Sequence, residues 1–100
     1  MHGEYKTPGG KLVVVDFEVH GGQLREVEVS GDFFLYPDES LAAITTALEG
    51  LPAGAGEAAI ALAIDGAIPA GTELLGTSSR GIAIAVGRAL ATLPEGSHQS

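Results

Sequence analysis

Lys6 and Lys11 flank the turn Thr7-Pro8-Gly9-Gly10, and the stretch EYKTPGGK around them is the one locally positive segment of an otherwise acidic chain. Two ammonium groups beside glycines that allow close backbone approach suit contact with an anion, such as a phosphate, or with a partner chain. The competing reading is hairpin punctuation ahead of a β-branched run. Gly10-Lys11 also invites comparison with the phosphate-binding P-loop, and the comparison fails. Tyr5 stands where that motif needs its first glycine, Leu12 occupies its Ser/Thr position, and a strand follows instead of a helix.

Other chemistry is sparse. The serines at positions 30, 40, 78, 79, 97 and 100 have no His and acid pattern around them that suggests a triad. Glu26 and Glu28 share one strand face and read as the solvated side of a hairpin rather than a catalytic pair. His2, His20 and His98 are too scattered for a metal cluster, and the absence of cysteine excludes thiol chemistry, disulfides and cysteine-ligated metals. The expectation is therefore no catalytic residue and no metal site in this chain.

Composition narrows the class further. One hundred residues, 45% of them apolar, suit a single domain with its own core. The formal charge of −8 argues against nucleic-acid binding, which draws on a basic face to displace counterions. The acidity is uneven: residues 1–35 carry six acids against three bases, and residues 36–100 carry seven against two. No apolar run is long enough for a membrane span, and no apolar signal core opens the chain, so a cytoplasmic protein is expected.

The elements that must position the lysines follow from periodicity. From Lys11 to His20, Val13, Val15, Phe17 and Val19 alternate with a second, increasingly polar face, which predicts a strand. Gly21-Gly22 supply a tight turn. Gln23 to Leu35 alternates again, with Val27, Val29 and Phe33 on one side. Adjacent aromatics in a strand point to opposite faces, so with Phe33 inward Phe34 points away, near Tyr36: either the N-terminal segment covers it or it is a hydrophobic anchor of the kind that marks interaction surfaces. Pro37, Asp38 and Glu39 suit a helix start. Leu41, Ile44, Leu48 and Leu51 form its stripe, and Gly50 and Pro52 stop it. A second helix carries Ile60, Ile64 and Ile68; PAGTELLGT reads as loop. A third helix, capped by Thr77 or Ser78, turns Ile82, Val86, Leu90 and Leu93 inward, with Gly81 and Gly87 unexplained. The expected fold is α+β: a small antiparallel hairpin sheet with about three helices on one face, forming one domain over residues 1–94 before a disordered tail, residues 95–100.

Taken together, KTPGGKL, the hairpin GGQLREVEVSGDFF, PDESLAAITTALEGL and the last helix resemble the accessory C-terminal domain of lipoate–protein ligases. Lys6, Gly9, Gly10, Lys11, Leu12, Gly31, Asp32, Phe33, Phe34, Leu48 and Gly50 stand at positions matching that pattern, and the resemblance spans about residues 4–93. It implies a free-standing accessory subunit, inert alone, that works with a separate catalytic subunit in ATP-dependent activation of lipoate to lipoyl-adenylate, before transfer to lysines of lipoyl acceptor domains. ATP, Mg and lipoate would be held through that partner, with no cofactor belonging to this chain. It also implies that Lys6, Gly9, Gly10 and Lys11 face nucleotide or partner, and that Asp32, Phe34 and Tyr36 lie at the interface. The family's fold resembles that of iron–sulfur scaffold proteins, a role the lack of cysteine excludes. The alternative is a non-enzymatic interaction or small-ligand module on the same fold.

Overall fold

The computed structural model describes residues 1–36, 39–69 and 71–91. Pro37 and Asp38 at the expected helix start, Leu93 and the expected 95–100 tail lie outside them. Strand β2 (Leu12–His20) and strand β3 (Gln23–Gly31) form the expected antiparallel hairpin, with Val13 opposite Gly31, Val15 opposite Val29 and His20 opposite Gln23. Gly21 and Gly22, at φ +60° and +78°, make the turn, which needs positive φ at both central residues.

A further strand, β1 (His2–Lys6), precedes them and pairs antiparallel with β2, Lys6 opposite Leu12 and His2 opposite Asp16. Periodicity gives no hint of it, because its inward positions are only Gly3 and Tyr5. Gly3 is buried where α3 (Ser79–Leu90) comes so close that a Cβ there would lie 2.3 Å from the Ala85 carbonyl oxygen and 2.8 Å from the Ala89 Cβ. An apolar side chain, the signal that marks a strand in sequence, is what this position cannot hold.

The expected continuous strand Gln23–Leu35 is broken. It ends at Gly31, whose φ is +144° and whose absent Cβ would stand 2.1 Å from the Leu12 carbonyl oxygen. The chain then forms β4 (Phe34–Tyr36), which pairs with β5 (Glu73–Leu75) in a separate two-stranded ribbon. The segment read as loop thus contains a three-residue strand, too short to show periodicity.

Helices α1 (Glu39–Leu48), α2 (Glu57–Ala67) and α3 cover one face of the three-stranded sheet. α3 packs on β1 and β2, α1 packs on β3 and β4, and α2 bridges the two helices. The core joins Val13, Val15, Phe17 and Val29 of the sheet to Ile44 and Leu48, Ile60 and Ile64, and Ile82 and Val86 of the helices. Within the described residues the expected stripes face inward, with Leu51 packing on the core from beyond the end of α1. Ser78 caps α3, its Oγ accepting from the Gly81 N–H at 3.1 Å. Gly81 is explained by crowding: a Cβ would meet Thr77 Oγ1 at 2.6 Å and Thr7 Oγ1 at 3.0 Å. Nothing lies near Gly87 that accounts for it. Among the described residues no helix is long and apolar enough to cross a membrane.

Candidate functional site

The glycine–lysine turn is the β1–β2 connection. The Gly10 N–H donates to the Thr7 carbonyl at 2.7 Å with Pro8 and Gly9 (φ +70°) between them, the Pro-Gly order favoured in a type II turn. The Thr7 N–H closes the hairpin on the Lys11 carbonyl at 3.2 Å. A second set of contacts clamps the turn to the segment between β5 and α3. The Lys11 N–H donates to the Gly76 carbonyl at 2.8 Å, and Thr7 Oγ1 lies 3.2 Å from Thr77 Oγ1. A Cβ on Gly10 would fall 2.5 Å from that same Gly76 oxygen. The turn is pinned rather than loose, and the amides of Thr7, Gly10 and Lys11 are all engaged within the protein. With these three amides taken, only that of Gly9 at the exposed tip is left, so the turn offers no cradle of several N–H groups and its capacity to attract an anion resides chiefly in the lysine side chains.

β2 and β3 bring the two motifs side by side. Leu12 follows Lys11 directly, and its carbonyl accepts the Asp32 N–H at 3.1 Å. Lys6, Gly10, Lys11, Leu12 and Asp32 consequently line one open hollow of about 370 Å³. Four of the expected site residues thus share a wall, and Asp32 groups with the lysines rather than with the aromatics. Gly9 is exposed at the turn's tip, with open space around its α-carbon. Among the described residues the ion pairs are Met1–Glu18, His2–Glu4, His2–Asp16 and Arg80–Glu57, so neither Lys6 nor Lys11 is neutralised by a close carboxylate. Among the described residues, those lining this hollow bring no hydroxyl, thiol or imidazole. Chemically it offers positive charge beside one carboxylate: suited to holding or steering an anion, with no paired nucleophile and base.

Phe34 and Tyr36 occupy alternate positions of β4, both 70% exposed, while Leu35 between them turns into the core. Phe33 is half-buried against the core, as the alternation requires. Val29, Ser30, Phe33, Phe34, Leu35 and Leu41 line a mostly apolar hollow of about 340 Å³ beside them. A third hollow, between α2 and α3, is lined by groups that satisfy one another: buried Ser79 donates to Asp65, and Arg80 Nε lies 3.7 Å from Glu57.

Sequence reasoning missed β5, whose Leu75 is 52% exposed opposite Phe34 and whose next residue, Gly76, holds the turn. The glycine in LLGT was the available signal. It also missed a cluster at the start of β1. His2 Nε2 and Nδ1 stand 2.7 Å from Glu4 and 2.9 Å from Asp16, and these two hydrogen bonds, Glu4 foremost, raise the His2 pKa above 6.5.

No family model matches the chain, and no curated protein matches it in sequence. Its fold is similar to that of a chain in the solved structure of an archaeal lipoylation system, a bi-partite lipoate protein ligase and its E2 lipoyl domain from Thermoplasma acidophilum. The TM-score is 0.68 at 20% identity, over 86% of this chain and 92% of that one.

Proposed function

We propose that this chain is the non-catalytic accessory subunit of a two-part lipoate–protein ligase. It acts with a separate catalytic chain when ATP and lipoate are converted to lipoyl-adenylate, ahead of transfer to acceptor-domain lysines. The observation that carries the reading is the juxtaposition of the Gly-Gly-Lys and Gly-Asp-Phe-Phe motifs, joined by the Asp32–Leu12 hydrogen bond, in a fold similar to a chain of a bi-partite ligase system. Separated in sequence, the two motifs lie side by side and bring together lysines with no ion-pair partner among the described residues and exposed aromatics.

Such a surface fits a late contribution to a site built elsewhere. Adenylate formation gathers negative charge on phosphates, and preorganised cations stabilise that charge as it develops. Lys6 and Lys11 supply cations on a clamped turn. The acidic remainder of the chain suits a basic partner.

The test is reconstitution with the lipoate-ligase catalytic chain of the same organism. Lipoate-dependent pyrophosphate release from ATP is expected from the mixture and not from this chain alone. Release by this chain alone would show it to be an enzyme in its own right. A catalytic chain that is fully active without it, or unchanged by its addition, would leave a plain interaction module as the surviving alternative.

A further inference from the structure

We infer that the outward face of the β4–β5 ribbon, formed by Phe34, Tyr36 and Leu75, is the docking surface for the catalytic chain, and that Gly76 ties this surface to the lysine hollow. This rests on the two-part ligase reading. The partner patch it fits is apolar and bordered by lysine or arginine.

The register makes the face. Phe34 lies directly opposite Leu75, and Tyr36 opposite Glu73, so these four side chains project to one side, while Leu35 and its partner Leu74 project into the protein. Among the described residues the exposed large apolar ones are Phe34, Tyr36, Leu62 and Leu75, and three of these four belong to this ribbon. Leu62 stands alone on α2, as single surface leucines commonly do; a cross-strand cluster with two aromatics is the pattern of an interface core. The apolar hollow beside Phe34 adds a recess able to take one large side chain of the partner.

Charge selects the occupant. A second copy of this chain would bring a second formal charge of −8 toward the first, with Glu73 on the docking face itself. A basic-bordered partner meets the same face with attraction.

Covalent continuity links docking to the lysines. Gly76 follows Leu75, accepts the Lys11 N–H, and at φ +94° packs so closely that a Cβ would sit 2.6 Å from Lys11 Cγ. A partner seated on β5 is thereby held at a fixed distance from Lys11.

The test measures calorimetric affinity and lipoyl-adenylate formation with the catalytic chain, for the wild type, Leu75→Ser, Tyr36→Ser, Glu73→Lys and the control Leu62→Ser. The three ribbon changes are expected to weaken association about tenfold or more with unchanged melting, and Leu62→Ser to bind as the wild type. For the two serine variants, a saturating excess should restore the activation rate. Wild-type affinity in Leu75→Ser and Tyr36→Ser, while the wild-type pair remains active, would overturn the docking surface and leave the subunit reading intact. Failure of the wild type to bind or activate would overturn both. Sedimentation of the chain alone as a dimer that Leu75→Ser returns to monomer would overturn the assigned occupant in favour of a second copy.

Discussion

Glu26 holds φ +54°, a left-handed conformation that costs a non-glycine residue about 1–2 kcal/mol. It is the extra residue of a bulge: between the pairs Asp16–Glu28 and Glu18–Arg25, β2 contributes Phe17 alone and β3 contributes Glu26 and Val27. The Val27 N–H donates to the Glu49 carboxylate of α1's trailing turn at 2.7 Å. Glu26→Gly relieves the strain and adds unfolded-state entropy, for a net gain of about 0.5 kcal/mol. A higher midpoint of urea unfolding at unchanged slope checks it. Glu49→Ala strands the Val27 amide in a partly buried position and should lower stability by about 1–2 kcal/mol in the same assay. The bulge was legible in one detail: Leu24 and Val27 differ in parity, yet both are buried, and a strand can reconcile them only by inserting a residue. Simple alternation over Gln23–Leu35 passed over that break, and passed over Gly31 as well.

Among the elements, β1 and β5 escaped the sequence, β4 was read as the end of β3, and the rest were legible, for a physical reason. Periodicity reports apolar side chains meeting a core, so the β2–β3 hairpin and three helices announce themselves through valine, leucine and isoleucine. β1 meets α3 through the bare backbone of Gly3, and β5 reaches the core through one inward residue, Leu74. What holds β1 at its exposed end includes an ionic clasp. Both His2 ring nitrogens face carboxylates, an arrangement only the doubly protonated ring can satisfy with two donors. The folded pKa is raised above 6.5, so the clasp contributes fully below the unfolded value near 6.5 and is lost as pH rises through the raised folded value. An NMR titration of His2 should give a midpoint above 6.5, and amide exchange along β1 should quicken as pH passes it, beyond the intrinsic base-catalysed rise. His2→Gln should abolish that step; a midpoint at or below 6.5 would remove the clasp. The closest packing gives a sharper test. Gly3→Ala forces a methyl group against the backbone of α3 and should cost at least about 1–3 kcal/mol, read from the thermal midpoint.

At the scale of the whole molecule, the fold sets two side chains of one sign where no carboxylate among the described residues forms an ion pair with them, at the rim of a ribbon with an apolar outer face. The motifs that line the lysine hollow were readable because Lys6 and Lys11 are the only two lysines of the sequence and flank a paired-glycine turn; that Gly76 anchors them was not, because the contact is made across the tertiary structure. The position of Lys6 and Lys11 bears on which half of a two-step reaction they serve. Adenylate formation brings the triphosphate and releases pyrophosphate, whereas transfer to an acceptor lysine starts from a phosphodiester-like adenylate carrying far less charge. Cations that act on the polyphosphate should therefore matter for the first half and little for the second. Lys6→Gln and Lys11→Gln lie at exposed positions and should leave the melting temperature nearly unchanged. In the reconstituted pair each should slow lipoate-dependent pyrophosphate release about tenfold or more, less than the roughly hundred- to thousandfold lost when a donor in direct contact with a developing charge is removed. Transfer from supplied lipoyl-adenylate should proceed at the wild-type rate. Equal slowing of both halves would mean that the lysines act on assembly rather than on phosphate. Wild-type rates in both halves for the double variant would reduce the turn to the hairpin connection its backbone already makes.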